Sequence, residues 1–289
     1  MYSAPVRVWI LGSGSSGNAT IVEAGGARVL IDCGMGPRAL ANRMAAHGAG
    51  KLYAGDLDAI VVTHEHQDHV AHLEAHARTF DAPVYLHHGI AAREVRDRYE
   101  VRPYEARAPF RVGPFSIEAL SVPHDAPQVA LRIATEQHAF GLVTDVGHVP
   151  PDLAPFLGTC DAALVEANYC PELLWIGPYP TFLKRRVSGG LGHLANHEAA
   201  ELASRLVGTR LARLVLGHVS RTNNEPERAL AAVRQRSGPL DVRMVRPGAV
   251  SVLDMASLEA AASSGARGSV TKAGKNARRS AAAQLTFGF

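Results

Sequence analysis

Val6, Val8 and Ile10 alternate with Arg7 and Trp9, a period of two that predicts a strand running into the glycine-rich loop Gly12–Gly17. Two further strands are expected at Ala19–Ala24 and Arg28–Asp32, joined by a Gly25-Gly26 turn. A helix is expected over Pro37–His47, with proline in its first turn. Ala59–Thr63 is a short apolar strand, His69–Phe80 reads as a helix and Pro83–Leu86 as a strand. From about Arg102 to Thr144 the pattern is mostly strand, broken at Gly113-Pro114 and at Pro123–Pro127. Strands are then expected at Ala162–Glu166 and Leu211–Leu216, and helices at Pro180–Val187, Asn196–Leu206 and Glu225–Gln235. A hairpin near Arg243–Leu253 closes the series.

Two strand-rich halves, each followed by helices, imply two packed sheets with helices outside, a four-layer αββα sandwich of α/β (α+β) class spanning residues 1–255. With 289 residues, 47% of them hydrophobic, the chain has material for a substantial core. From 256 to 289 the composition turns to Ala, Ser, Gly and Lys, which bury too little surface to offset ordering entropy. That segment is expected to be a flexible basic tail. The three cysteines (Cys33, Cys160, Cys170) form no CxxC pair and read as free thiols of a reducing compartment. No segment has a signal peptide's pattern or the apolar length of a membrane span, so a soluble cytoplasmic protein is expected. The net charge of +3 leans toward anionic substrates only weakly.

Gly12-x-Gly14-x-x-Gly17 with Asp32 downstream has the outline of a dinucleotide fingerprint. That chemistry needs a helix opening at the last glycine to receive the pyrophosphate. Here Asn18-Ala19-Thr20-Ile21-Val22 continues as a β-branched strand, so the cofactor reading is rejected. Ser13, Ser15, Ser16 and Asn18 then read either as an active-site wall or phosphate seat, or as a tight turn without a ligand.

His64-x-His66-x-Asp68-His69 directly follows an apolar strand. On a turn leaving a strand end, alternate side chains converge on one point while the next pair reaches a second. Imidazole with carboxylate is the donor set of divalent zinc, manganese or iron. Together with Ile31-Asp32-Cys33-Gly34, His124 in Val122-Pro123-His124-Asp125, Asp145 in Thr144-Asp145-Val146-Gly147 and His218 in Leu216-Gly217-His218-Val219-Ser220, this cluster resembles the metallo-β-lactamase superfamily. The resemblance implies two divalent metal ions, one on His64, His66 and His124 and the other on Asp68, His69 and His218. Asp145 would bridge them, as in the phosphodiesterase-like branches. It also implies hydrolysis by a water activated between the metals, with Asp68 among the catalytic groups.

Gly12–Asn18, Glu166-Ala167-Asn168, Tyr179-Pro180 with Leu183–Arg186, and Gly192-His193-Leu194-Ala195-Asn196 further resemble the YycJ/WalJ-like exonuclease group, over about residues 6–250. Tyr169-Cys170 stands where that group usually has His-Asp, so whatever the missing histidine does is not carried over. The span from Asp145 to His218 is too short for an inserted β-CASP domain, against the large RNA-processing nucleases. The resemblance implies a DNA exonuclease of repair or replication, with His193 as proton donor or phosphate contact. Asn168, Lys184, Arg185, Arg186 and Asn196 would bind substrate. Read without it, His193 has the alternative of a helix-flanking structural histidine, and Lys184–Arg186 is equally a solvated helix face. The alternatives are a small-molecule hydrolase of the same fold acting on a thioester, lactone or lactam, and a non-enzymatic factor with a vestigial site.

Gln284-Leu285-Thr286-Phe287-Gly288-Phe289 follows a segment carrying Arg267, Lys272, Lys275, Arg278 and Arg279. It resembles the short peptide, here Gln284, Leu285, Phe287 and Phe289, that bacterial proteins insert into the replication sliding clamp. The other reading is a weakly packing apolar end.

Overall fold

The computed structural model describes residues 5–258; the clamp-like peptide and the cations around it lie outside the described residues. The chain opens with β1 (Arg7–Gly12), β2 (Ala19–Ala24), β3 (Ala27–Ile31), α1 (Pro37–Ala46), β4 (Ala59–Val62), α2 (Gln67–Val70), α3 (Leu73–Phe80), β5 (Val84–His87), α4 (Arg93–Arg96) and β6 (Val101–Tyr104). The second half runs β7 (Phe110–Val112), β8 (Phe115–Val122), β9 (Gln128–Ala134), β10 (Ala139–Val143), α5 (Leu153–Leu157), β11 (Ala162–Glu166), α6 (Pro171–Ile176), α7 (Thr181–Val187), α8 (Asn196–Leu206), β12 (Arg213–Gly217), α9 (Pro226–Arg234), β13 (Asp241–Met244) and β14 (Ser251–Asp254). Two seven-stranded sheets result, ordered β14-β1-β2-β3-β4-β5-β6 and β13-β12-β11-β10-β9-β8-β7. The β2–β3 hairpin turns through Gly25 and Gly26 at φ 59° and 86°, values that suit glycine in a tight two-residue loop.

Alternate residues of one strand supply different cores, because successive side chains point to opposite faces. Val8 and Ile10 join Phe115, Ile117, Leu131 and Phe140 between the sheets. Trp9 and Leu11 face the other way, against Leu40 and Met44 of α1 and Leu73 and Phe80 of α3. On the second sheet Leu214 and Leu216 pack under Leu202 and Leu206 of α8 and Val233 of α9. Both faces of these strands are thus buried, and the four layers are those expected.

Three local expectations change. The His69–Phe80 helix is two helices, α2 and α3, divided at His72, whose φ of −121° leaves the helical region. The closing hairpin does not exist: β13 lies parallel to β12 in the second sheet, whereas β14 pairs antiparallel with β1 in the first. Val245 and Leu253 both enter the core between the sheets, so the connection crosses from one sheet to the other instead of folding back. Finally, packed chain continues past residue 255, for Met255 and Leu258 are both buried in that core.

On α3, His76 is fully buried and donates from Nε2 to the Met35 carbonyl at 2.7 Å, while Nδ1 has no partner. Burial pushes its pKa down to about 4; His72 adds to this, and the Met35 bond only partly opposes it. Between the ordinary value near 6.5 and about 4, the unfolded chain takes up a proton here that the folded chain refuses, so stability falls as pH falls. His76→Gln keeps a donor for Met35. In urea unfolding from pH 7 to pH 5 the variant should lose about 2 kcal/mol less stability than the parent; equal losses would refute this account of His76.

Candidate metal centre

The candidate residues gather where strands end. Asp32 follows β3, His64 follows β4, His124 follows β8, Asp145 follows β10, Glu166 ends β11 and His218 follows β12. Asp32, Asp145 and His218 take left-handed φ values of 62°, 60° and 47°, which L side chains rarely adopt. Each such residue costs on the order of 1–3 kcal/mol unless its surroundings enforce it. The enforcing bonds are visible: Thr63 donates N–H (2.8 Å) and hydroxyl (2.9 Å) to Asp32, and His218 donates its N–H to Ser13 Oγ at 2.7 Å.

Three ligand groups form side by side, with donor atoms within 4.8 Å of one another in each: His64, His66 and His124; Asp68, His69, Asp145 and His218; and Glu166, His193 and His218, which shares His218 with the second. His66 Nδ1 lies 3.2 Å from His124 Nε2, and His69 Nε2 lies 3.0 Å from Asp145 Oδ2. His64 Nε2 is buried without a hydrogen-bond partner. An orphaned buried lone pair amid imidazole and carboxylate donors fits a divalent cation, which such atoms coordinate.

The electrostatics follow from burial and the carboxylates. Burial, reinforced by neighbouring His69, holds His64 far below the usual imidazole value, in the neutral form that ligates metals. Burial also opposes charge on His69, but Asp32 and Asp145 outweigh it and raise that pKa to about 10. Asp145 is held well below the usual carboxylate value, since His218 and His69 overcome its burial. His193 and His218 are raised: burial is outweighed by Glu166 and Asp145 for the first, and by Asp145, Asp68 and Glu166 for the second.

His193 reaches this centre, with Nδ1 3.1 Å from Glu166 Oε2 and 3.6 Å from Asp145 Oδ1. Four other expected site residues brace the cleft from within. Asn18 accepts from Gly14 N at 2.8 Å, and its amide nitrogen lies 3.2 Å from Asp68 Oδ2 and 2.8 Å from His69 Nε2. Ser13 holds His218 N, Asn168 donates to the His218 carbonyl, and Asn196 exchanges hydrogen bonds with Asn224. Ser15 and Ser16 remain exposed beside a hollow of about 230 Å³ shared with Tyr179 and Arg221. Lys184 caps the Trp175 carbonyl, Arg186 donates to Asp125 at 2.8 Å, and Arg185 is exposed. The glycine loop opens no helix; its Asn18 N donates to Asp68 O, and a Cβ on Gly34 would collide with that same carbonyl.

Sequence reading missed Asp32 as a support, Glu166 as the partner of His193 and His218, and Asp125, whose Oδ1 lies 3.1 Å from His66 Nε2. Asp32, Asp125 and Glu166 all stood inside the sequence motifs, but only the convergence of the strand ends shows what they touch.

The profile of the Beta-lactamase superfamily domain matches residues 27–219. The chain belongs to that superfamily. Exodeoxyribonuclease WalJ of Streptococcus pneumoniae is 33% identical over 229 residues, covering 76% of this chain and 84% of that one. Exodeoxyribonuclease YycJ of Bacillus anthracis is 28% identical over 235 residues, covering 78% and 87%. Among solved structures, the metallo-β-lactamase fold protein YhfI of Bacillus subtilis superposes with a TM-score of 0.68 at 19% identity, covering 86% of this chain and all of that one. The superfamily member described here is thus of the WalJ/YycJ group and a metal-dependent hydrolase. Among the described residues no helix is long and apolar enough to cross a membrane.

Asp32 accepts from His69 Nδ1 at 2.7 Å and so aims Nε2 at the centre. Asp32→Asn should leave the fold intact but weaken metal retention by about 10- to 100-fold in competition with a chelator. Unchanged retention would show that Asp32 only stabilises the loop.

Proposed function

We propose that the chain is a two-metal phosphodiesterase acting on DNA as an exonuclease. The observation that carries this is the pair of adjoining ligand groups containing the carboxylate Asp145, in a chain related along most of its length to exodeoxyribonucleases. In this reading His64, His66 and His124 would hold one ion, Asp68, His69 and His218 the other, with Asp145 serving both. Zinc, manganese and iron all suit these donors. When bound, the ions supply an ionisable water near neutral pH and positive charge against the phosphoryl oxygens.

The chain's own residues supply the rest. His193, oriented by Glu166, delivers a proton to the leaving oxygen. Asp68 and Asp145 provide the negative charge that retains the cations, and Asn18 fixes the Asp68 carboxylate. Ser15 and Ser16 on one side, with Lys184, Arg185 and Arg186 on the other, receive the phosphate backbone. A DNA substrate and free cysteines accord with a cytoplasmic enzyme of repair or replication.

Purified protein analysed for metal, then incubated with end-labelled single- and double-stranded DNA, RNA, a small phosphodiester and a thioester, should degrade DNA and spare the thioester. Thioester hydrolysis with intact DNA would favour a small-molecule hydrolase. Asp145→Asn should lower DNA hydrolysis by about 10⁴-fold with an unchanged circular dichroism spectrum, the scale on which removing one member of a cooperating catalytic set acts. Near-normal activity would defeat the assignment.

Gln284, Leu285, Phe287 and Phe289 are further proposed to dock on the replication sliding clamp. Deleting 284–289 should abolish clamp binding in calorimetry while sparing hydrolysis of free DNA; a full-length chain with no clamp affinity would dispose of this partner.

A further inference from the structure

The segment 175–191 exposes large apolar side chains that the fold leaves uncovered. Trp175 is 52% exposed, Ile176 80%, Phe182 74% and Leu191 54%. They are not failures of local packing, because the same elements already have a small core. Leu174, Leu183 and Val187 turn inward with Tyr169, Tyr179 and Ala195. The helical period then places Phe182 outward with Arg185 and Arg186, three and four residues on. Lys184 Nζ, 2.6 Å from the Trp175 carbonyl, ties α7 to the end of α6, so the outward faces of both helices belong to one surface.

That surface is cationic as well as aromatic. Between residues 175 and 191 the chain carries Lys184, Arg185 and Arg186 and no carboxylate. Among the described residues Arg185 has no ion-pair or hydrogen-bond partner. The surface also continues into the metal centre. Arg186 holds Asp125, whose other oxygen lies 3.1 Å from His66 Nε2, and Leu191 lines a hollow of about 340 Å³ together with His124 and Asp125. Exposed aromatic faces interleaved with cations match unpaired bases joined by phosphates, whereas a duplex hides its base faces. A purely apolar protein partner would leave the cations without counterparts.

We infer that the outward face of α6–α7 is a stacking platform for single-stranded DNA, with bases on Trp175 and Phe182 and phosphates on Arg185 and its neighbours, leading an unpaired strand toward His66 and His124. This rests on the phosphodiesterase reading and names the form of substrate that reaches that site. Double-stranded DNA would then need its end melted before it is drawn across the face.

The test uses the full chain in chelator, so that binding is read without hydrolysis, and a fluorescent oligothymidine as probe. The chain has two tryptophans, and Trp9 is buried, so quenching of emission on binding reports Trp175. Quenching is expected. Trp175→Ala and Phe182→Ala should each weaken oligothymidine affinity by about tenfold, the scale of one stacked base. Phe182→Tyr should restore most of the loss, and both alanine variants should hydrolyse a small phosphodiester at the parent rate with unchanged thermal unfolding. Parent-like oligothymidine affinity in both alanine variants would overturn the platform. So would a dimer that Phe182→Ala splits without loss of affinity, which would make the face a contact between copies. A parent chain that binds the oligonucleotide with quenching, yet leaves DNA and the small phosphodiester intact when metal-loaded, would uphold the platform and overturn the phosphodiesterase reading.

Discussion

Asp32, Asp145 and Glu166 are each no more than 2% exposed, and their negative charge is withdrawn from water at the floor of one cleft. An ion so placed costs several kcal/mol unless it is paired and hydrogen-bonded. Their surroundings are organised to meet that cost. Thr63 N–H and hydroxyl serve Asp32, Val146 and Leu194 N–H groups serve Glu166, and the imidazoles of His69, His193 and His218 lie between the carboxylates. The left-handed backbone at Asp32, Asp145 and His218 occurs at these same strand ends, where such bonds hold Asp32 and His218 in place.

The fold meets this demand by ending strands from both sheets at the same edge. β3 and β4 bring Asp32 and the His64–His69 turn from the first sheet; β8, β10, β11 and β12 bring His124, Asp145, Glu166 and His218 from the second. Close backbone packing then holds the turns at ångström scale. Gly34 lets the Asp68 carbonyl approach, and Gly147 lies so close to the Gly190 carbonyl that a Cβ would not fit. His124 gains its orientation from the Gly192 carbonyl, 3.0 Å from Nδ1, so the loop after α7 is part of the metal centre and part of the surface leading to it.

How far the site could be read in advance depended on how local its information was. His64, His66, Asp68 and His69 lie within six residues, and a cluster of donors after an apolar strand has few other uses. His124, Asp145 and His218 were reached through short motifs that keep chain order, and the structure brings all three to the cluster. Asn18, Ser13, Asn168 and Asn196 were grouped with substrate because polar side chains in a motif look alike on paper. In space each bonds to the backbone or to another side chain beneath the cleft. Trp175 and Phe182 drew no notice at all, since an apolar residue in an amphipathic stretch reads as core until burial shows otherwise.

Most strands and longer helices, the two-sheet architecture and the cluster of candidate ligands at His64–His69 were legible in the sequence itself, whereas α4, α5 and α6 were not. Periodicity and closely spaced ligands act over a few residues. The partner of each buried charge, the passage from β13 in one sheet to β14 in the other, and the outward face of α6–α7 were decided only in the tertiary structure. Each depends on which distant segments pack together. A strand edge, a carboxylate or an aromatic ring has no fixed role until its neighbours are in place.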